Sequence, residues 1–194
     1  MKSIQKHITI IFLIIALSGC STSKVSYTVP QFSQLFSSIN NNESSSSFVL
    51  IGDTQRTSWL ESNILFRESN DSVQFELFNQ ISLLEEKPSF ILHLGDMVFD
   101  AASDEDWIYF DNSTQSISDN NIPIVPVLGN HEYFGDTEQS MHNISSRFPE
   151  MKDSSWRSFI FKKVAFILLN SNTELLVEFN ERQKQWYKKV LSSF

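Results

Sequence analysis

Three short apolar runs in this chain each end in a glycine followed by a side chain with an oxygen donor. Residues 48–51 lead into Gly52-Asp53, residues 90–94 into Gly95-Asp96, and residues 122–128 into Gly129-Asn130. Gln55 stands two residues after the first aspartate, Asp100 four after the second, and His131-Glu132 directly after Asn130. Carboxylates and amides at comparable places are oxygen donors of the kind divalent cations accept, and an imidazole beside them can move a proton. A carboxylate has two oxygens and can join two such cations.

These residues need a scaffold that brings three segments to one edge. Apolar runs of this length, bounded by turn residues and separated by helical segments, read as buried strands of an α/β sheet. Each strand then delivers its oxygen donor at its C-terminal edge, where open α/β sheets bind ligands. The glycine before each donor lets the backbone turn sharply and approach whatever is bound. An aspartate after a strand also serves as a turn or helix cap, so Asp53 by itself reads either way.

The intervening segments fit this plan. Over residues 71–86, Val73, Leu77, Ile81 and Leu84 recur at helical spacing, with Asn70 or Asp71 as N-cap and Pro88 as terminator. A second helix begins at Ser103 with an acidic first turn, as the helix dipole favours, and turns Trp107 and Phe110 inward. Residues 137–147 form a third, ended by Pro149, and residues 158–169 read as a hairpin split at Lys162-Lys163. Residues 179–191 form an amphipathic helix with Trp186 and Val190 on its buried side. His93, flanked by apolar residues in a strand, reads as a satisfied core histidine, and His142, in a polar helix, as a solvated one.

Taken together, Gly52-Asp53-Thr54-Gln55, Gly95-Asp96-Met97-Val98-Phe99-Asp100 and Gly129-Asn130-His131-Glu132 resemble the calcineurin-like metallophosphoesterases, the superfamily that includes the purple acid phosphatases. The resemblance implies a layered αββα sandwich and metal-dependent hydrolysis of a phosphate-ester substrate. It implies two divalent metal ions, for which mixed oxygen and nitrogen ligands suit Mn, Fe or Zn. On the matching positions Asp96 bridges the two ions, Asp53 binds the first with Gln55 beside it, and Asn130 binds the second. His131 hydrogen-bonds the phosphate and protonates the leaving oxygen, with Asp100 or Glu132 to orient it. The chain departs from the family pattern in three places. Gln55 stands where many relatives carry histidine, and Phe99 where purple acid phosphatases carry a metal-binding tyrosine. No histidine follows His142, whereas relatives complete both metal shells with later histidines. The expectation is the N-terminal part of such a domain, with an incomplete second sheet and an unpaired hairpin edge. The alternative is a chain of this fold that is catalytically inactive, acting as a binding module or a non-functional fragment.

The remainder concerns location and partners. Lys2, Lys6 and His7 precede an apolar run at residues 8–17, too short to span a bilayer, and Leu17-Ser18-Gly19-Cys20 resembles the lipobox of bacterial lipoproteins. Residues 1–19 are thus expected to be a signal peptide, Cys20 the site of lipid attachment, residues 20–47 a polar tether and residues 48–194 the phosphoesterase domain. Ser21 lacks the aspartate of an inner-membrane retention signal, which favours the periplasmic face of the outer membrane. Within the tether, Phe32, Leu35, Phe36 and Ile39 suggest a short helix over 26–39. Among 194 residues there are 17 Phe and 4 Trp, enough apolar area to exclude a disordered chain. A net charge of −8 argues against binding nucleic acid through phosphate neutralisation. Loss of the leader with its two lysines would take that charge to about −10.

Overall fold

The computed structural model describes residues 47–172 and 177–193. Cys20, the leader, and the helix expected over 26–39 lie outside the described residues. In chain order the elements are β1 (Val49–Ile51), α1 (Trp59–Asn63), α2 (Asp71–Leu83), β2 (Ile91–His93), α3 (Asp104–Ser113), α4 (Gln115–Asp119), β3 (Ile124–Pro126), α5 (Thr137–Arg147), β4 (Arg157–Phe161), β5 (Val164–Leu168) and α6 (Val177–Leu191). Single 3-10 turns at His131–Tyr133 and Pro149–Met151 flank α5. No described helix is long and apolar enough to cross a membrane.

The first three strands form a parallel sheet in the order β1-β2-β3, with Ile51 opposite His93 and His93 opposite Pro126. Both crossovers run through helices, so all three strands end at the same edge. Alternation along β2 and β3 sends Ile91 and Ile124 into a core shared with Phe78, Trp107, Phe110, Ile144 and Phe148 on the helical side. Phe90, Leu92 and Val125 face the other way, against Phe159, Phe161 and Leu168 of the β4-β5 hairpin. The mixed α/β layering expected from sequence is therefore present, and the second sheet consists of two antiparallel strands among the described residues. Ile160 and Val164 stand exposed on that hairpin, as its expected uncovered surface required.

Strand and helix limits depart from the sequence reading for physical reasons. β3 spans Ile124–Pro126 rather than 122–128, with single bonds to β2 beyond each end through the Pro123 carbonyl and the Val127 N–H; Pro126 is tolerated because its nitrogen faces away from β2 on a strand at the edge of the described sheet. Helix α2 stops at Leu83, where Lys87 takes over, its Nζ donating to the carbonyls of Leu84 and Ser82. Its rotation also differs. The buried residues are Gln74, Phe78, Ile81 and Ser82, whereas Val73 is 65% exposed and Leu77 and Leu84 also reach solvent. Phe78 meets Phe110, and Phe75 meets Tyr109 edge-on, so contacts between larger aromatic rings set the rotation against the aliphatic stripe. Asn70 precedes α2 without a side-chain cap bond.

Elsewhere the reading agrees with the structure. Ser103 Oγ accepts from the N–H of Asp106 and caps α3, whose Trp107 and Phe110 are buried. Helix α5 has the expected limits, capped by Asp136. The hairpin turns at Lys162, in a left-handed conformation. On α6, Trp186 and Val190 are half-buried, and Gln183 is buried and exchanges two hydrogen bonds with the Asn170 backbone.

Candidate metal centre

The three strand tips converge at one edge of the sheet. The N–H of Asp53 donates to the Gly95 carbonyl at 3.0 Å, and the N–H of Gln55 to the Asp96 carbonyl at 3.0 Å. Gly129 closes onto the second tip, where a Cβ would collide with Asp96 Oδ1 and lie 2.7 Å from the Asp96 nitrogen. Gly95 is equally confined, with φ at +106° and the Gly129 Cα 2.7 Å from where its Cβ would be. Glycine is required at both positions by close approach, and at Gly95 also by backbone conformation.

The repeated sequence does not make three identical turns. Asp53 and Asp96 are both left-handed, with φ of 56° and 55°. Such a conformation costs on the order of 1–3 kcal/mol for a non-glycine residue and collects at functional sites. Asn130 is right-handed instead and opens the His131–Tyr133 turn. Through that turn the N–H of His131 reaches back to Asp96 Oδ1 at 3.0 Å. Asp53 and Asn130 are exposed and Asp96 half-buried, so the expected ligands stand at a surface that solutes can reach.

Glu132 lies beneath them, wholly buried. Its Oε2 accepts from the N–H groups of Asp96 and Gly129, and its Oε1 from that of Met97. Burial pushes its carboxyl above the usual range, against the opposing pull of these three donors. His93 performs a similar join between β1 and β2. Its Nδ1 accepts from the Gly95 N–H, which leaves Nε2 to donate to Thr54 Oγ1 at 2.8 Å. Complete burial depresses its pKa to about 3, so the ring is neutral. The satisfied core histidine read from sequence is thus observed, with the added task of holding two tips together.

His131 is oriented by a group that the sequence did not indicate. The Phe99 carbonyl accepts from Nδ1 at 2.7 Å, and the rings of Phe99 and Phe134 lie 5.0 and 4.3 Å from the imidazole. Nε2 is the nitrogen left for other partners. This corrects the expectation that Asp100 or Glu132 orients His131. Asp100 Oδ1 accepts instead from the Ala102 N–H at 2.9 Å, and its own N–H donates to Asp106. Asn170 and Asn172, after β5, also take part, outside the three apolar-run motifs. Asn172 Nδ2 donates to the Gly129 carbonyl at 3.0 Å, and Asn170 Nδ2 to the Tyr133 hydroxyl, bracing the third tip from the hairpin side. Their one trace in the sequence is a pair of amides directly after a strand. Asn70, expected as a cap, instead donates from Nδ2 to the Gln55 carbonyl.

The donor set fits divalent cations. Among the described residues Gln55 Oε1 is buried without a hydrogen-bond partner, an expensive state for an amide oxygen unless a ligand completes it. It lies on the loop whose backbone is bonded to Asp96. Asp53, Asp96, Asn130 and this oxygen together offer carboxylate and amide donors of the kind hard and borderline divalent ions accept. Among the described residues no group of three His, Cys, Asp or Glu side chains forms a metal cluster. Two of the four candidate ligands are amides, a class outside that set.

Comparison with known proteins bears on this arrangement. The family model of the calcineurin-like phosphoesterases matches residues 46–190, which include all three strand tips and both sheets. No curated protein matches the chain.

Proposed function

The chain belongs to the calcineurin-like phosphoesterase family, and on that footing we propose that it hydrolyses a phosphate ester with two divalent cations at the tips of β1, β2 and β3. The observation that carries this reading is Gln55 Oε1, buried on a loop joined to Asp96 and without a hydrogen-bond partner among the described residues. Asp53 and Gln55 would hold the first ion, Asn130 the second and Asp96 both, with Mn, Fe or Zn as the candidate metals. Bound there, the pair supplies charge neutralisation for the phosphoryl oxygens and a water acidic enough to attack at neutral pH.

The protein's own groups do the rest. His131 commits Nδ1–H to the Phe99 carbonyl and presents Nε2. When protonated, Nε2 hydrogen-bonds a phosphoryl oxygen and transfers its proton to the leaving oxygen as the P–O bond breaks. Phe99 and Phe134 pack against the ring and each other and limit its motion. Asp100 acts at one remove, closing the turn that carries the Phe99 carbonyl. The pattern over residues 1–20 supports attachment through a lipid on Cys20, with the tether at residues 20–47 placing the domain at the periplasmic face of the outer membrane.

The test uses the full chain, stripped of metal and reloaded with Mn, Fe or Zn, and assayed on p-nitrophenyl phosphate and its diester. Metal-dependent turnover that falls at least about 100-fold in Asp96→Asn is expected, since that change weakens the shared ligand. Failure to turn over either ester with any metal, or an Asp96→Asn rate equal to wild type, would overturn the enzymatic reading. Retained binding of phosphate esters without turnover would favour a binding module of the same fold.

A further inference from the structure

Glu132 makes no ion pair among the described residues, although it is wholly buried. Among the described residues its carboxylate is met by backbone donors: Asp96 N–H at 2.9 Å, Met97 N–H at 2.7 Å and Gly129 N–H at 2.6 Å. Two of these lie on the tip of β2 and one on the tip of β3, and Asp96 and Gly129 share one oxygen. A carboxylate is an acceptor at all its lone pairs and so can receive three converging donors, which an amide cannot. The bonds hold Asp96 in its left-handed conformation and draw Gly129 against it. They also set the turn from which the His131 N–H meets Asp96 Oδ1.

We propose that Glu132 is a positioning residue for the divalent cations: by gathering three N–H groups from two strand tips it fixes the aim of Asp96 and Asn130, and so sets how tightly the ions bind without touching them. The proposal rests on the phosphoesterase reading above. Groups beyond the ligands that orient them characteristically change metal affinity by about 10–100-fold when removed. Glu132→Gln keeps the size of the side chain and one acceptor oxygen, but turns an NH2 group toward at least one of the three donors.

The experiment measures Mn2+ affinity of the full chain by electron paramagnetic resonance, with amide exchange at Asp96, Met97 and Gly129 followed by NMR. Glu132→Gln is expected to weaken Mn2+ binding about 10–100-fold and to speed exchange at those three amides. Glu132→Asp, a shorter carboxylate, is expected to recover part of the affinity, and it serves as the test variant if the glutamine form does not fold. Asn143→Ala removes buried bonds to the Ala101 carbonyl and Asp104 on the helical side. It should lower Tm and leave Mn2+ affinity unchanged. Mn2+ binding by Glu132→Gln equal to wild type, or an equal loss in Asn143→Ala, overturns the proposal while leaving the phosphoesterase reading intact. Unprotected amides at 96, 97 and 129 in the wild type also overturn it. A wild type that binds no Mn2+ is titrated with Fe2+ and Zn2+ in the same way, and one that binds none of the three sinks both.

Discussion

Asp111 and Glu132 are both withdrawn from water, at 2% and 0% exposure, and the protein satisfies them by opposite means. Asp111 on α3 faces Arg147 on α5, whose Nε and Nη2 reach it at 2.9 and 2.6 Å, with the guanidinium 4.6 Å above the Trp107 ring. Glu132 takes three backbone N–H groups. In the helical layer, a buried negative charge is cancelled inside the fold and the pair joins two helices. At the strand tips, Asp96 and Glu132 beside the exposed Asp53 gather acidity that backbone donors to the first two satisfy geometrically and do not neutralise. A region of that kind is poised for cations from outside, and a region of the first kind is finished by folding.

The contrast can be tested most strongly by breaking the internal pair. Arg147→Met leaves Asp111 buried without its cation and should remove about 3–5 kcal/mol of stability, measured by urea unfolding. Replacing both partners together, with Asp111→Leu added, should return most of that loss. Neither variant should alter Mn2+ affinity. A change in affinity would show that the two regions are not separate.

A somewhat smaller effect is expected at His93, the neutral counterpart of Glu132 in the tip region. His93→Ala leaves Thr54 Oγ1 and the Gly95 N–H without their partner and opens a cavity, worth about 2–4 kcal/mol. This residue also gives the tips a pH dependence that Arg147 does not give the helices. The unfolded chain binds a proton at His93 near the ordinary histidine pKa, whereas the folded protein, with a pKa depressed to about 3 by burial, does not until far lower pH. Its contribution is therefore complete above about pH 6.5. It falls as pH drops toward 3, by up to about 1.4 kcal/mol per pH unit. Unfolding at a series of pH values should show the wild-type curve falling more steeply than that of His93→Ala across this window, and parallel curves would refute it.

The smallest change sharpens the comparison from the helical side. Ser103→Ala removes the side-chain cap of α3, the helix that carries Asp111, and should lower stability by about 1 kcal/mol. Catalysis and metal binding should be unaffected, as thermal unfolding beside an Mn2+ titration would show.

Much of this molecule is legible in its residues. The Gly-Asp and Gly-Asn pairs after apolar runs mark the ends of β1, β2 and β3 because short buried strands need both bulk and a sharp exit. Ser103 and Asp136 mark helix starts because their side chains match free N–H groups, and Lys162-Lys163 marks the hairpin turn. The rotation of α2 was not legible, since two apolar stripes overlap along it and only the aromatic partners on α3 choose between them. Nor did sequence distinguish the roles of His93 and Glu132, which read as one core residue and one orienting acid.

By itself, then, the order of residues determined which side chains could act as ligands, that strand ends would carry them, and which family's chemistry they suit. Tertiary structure decided how those ends are held. Asp53 and Asp96 turn left-handed while Asn130 does not, Phe99 rather than Asp100 orients His131, and Gln55 Oε1 is left without a partner among the described residues. The reason is physical. Helix caps and strand exits depend on neighbours within a few residues, whereas these features depend on donors and acceptors 32 to 39 positions apart, such as His131 with Phe99 and Thr54 with His93. Such groups come within hydrogen-bond reach only when the sheet forms.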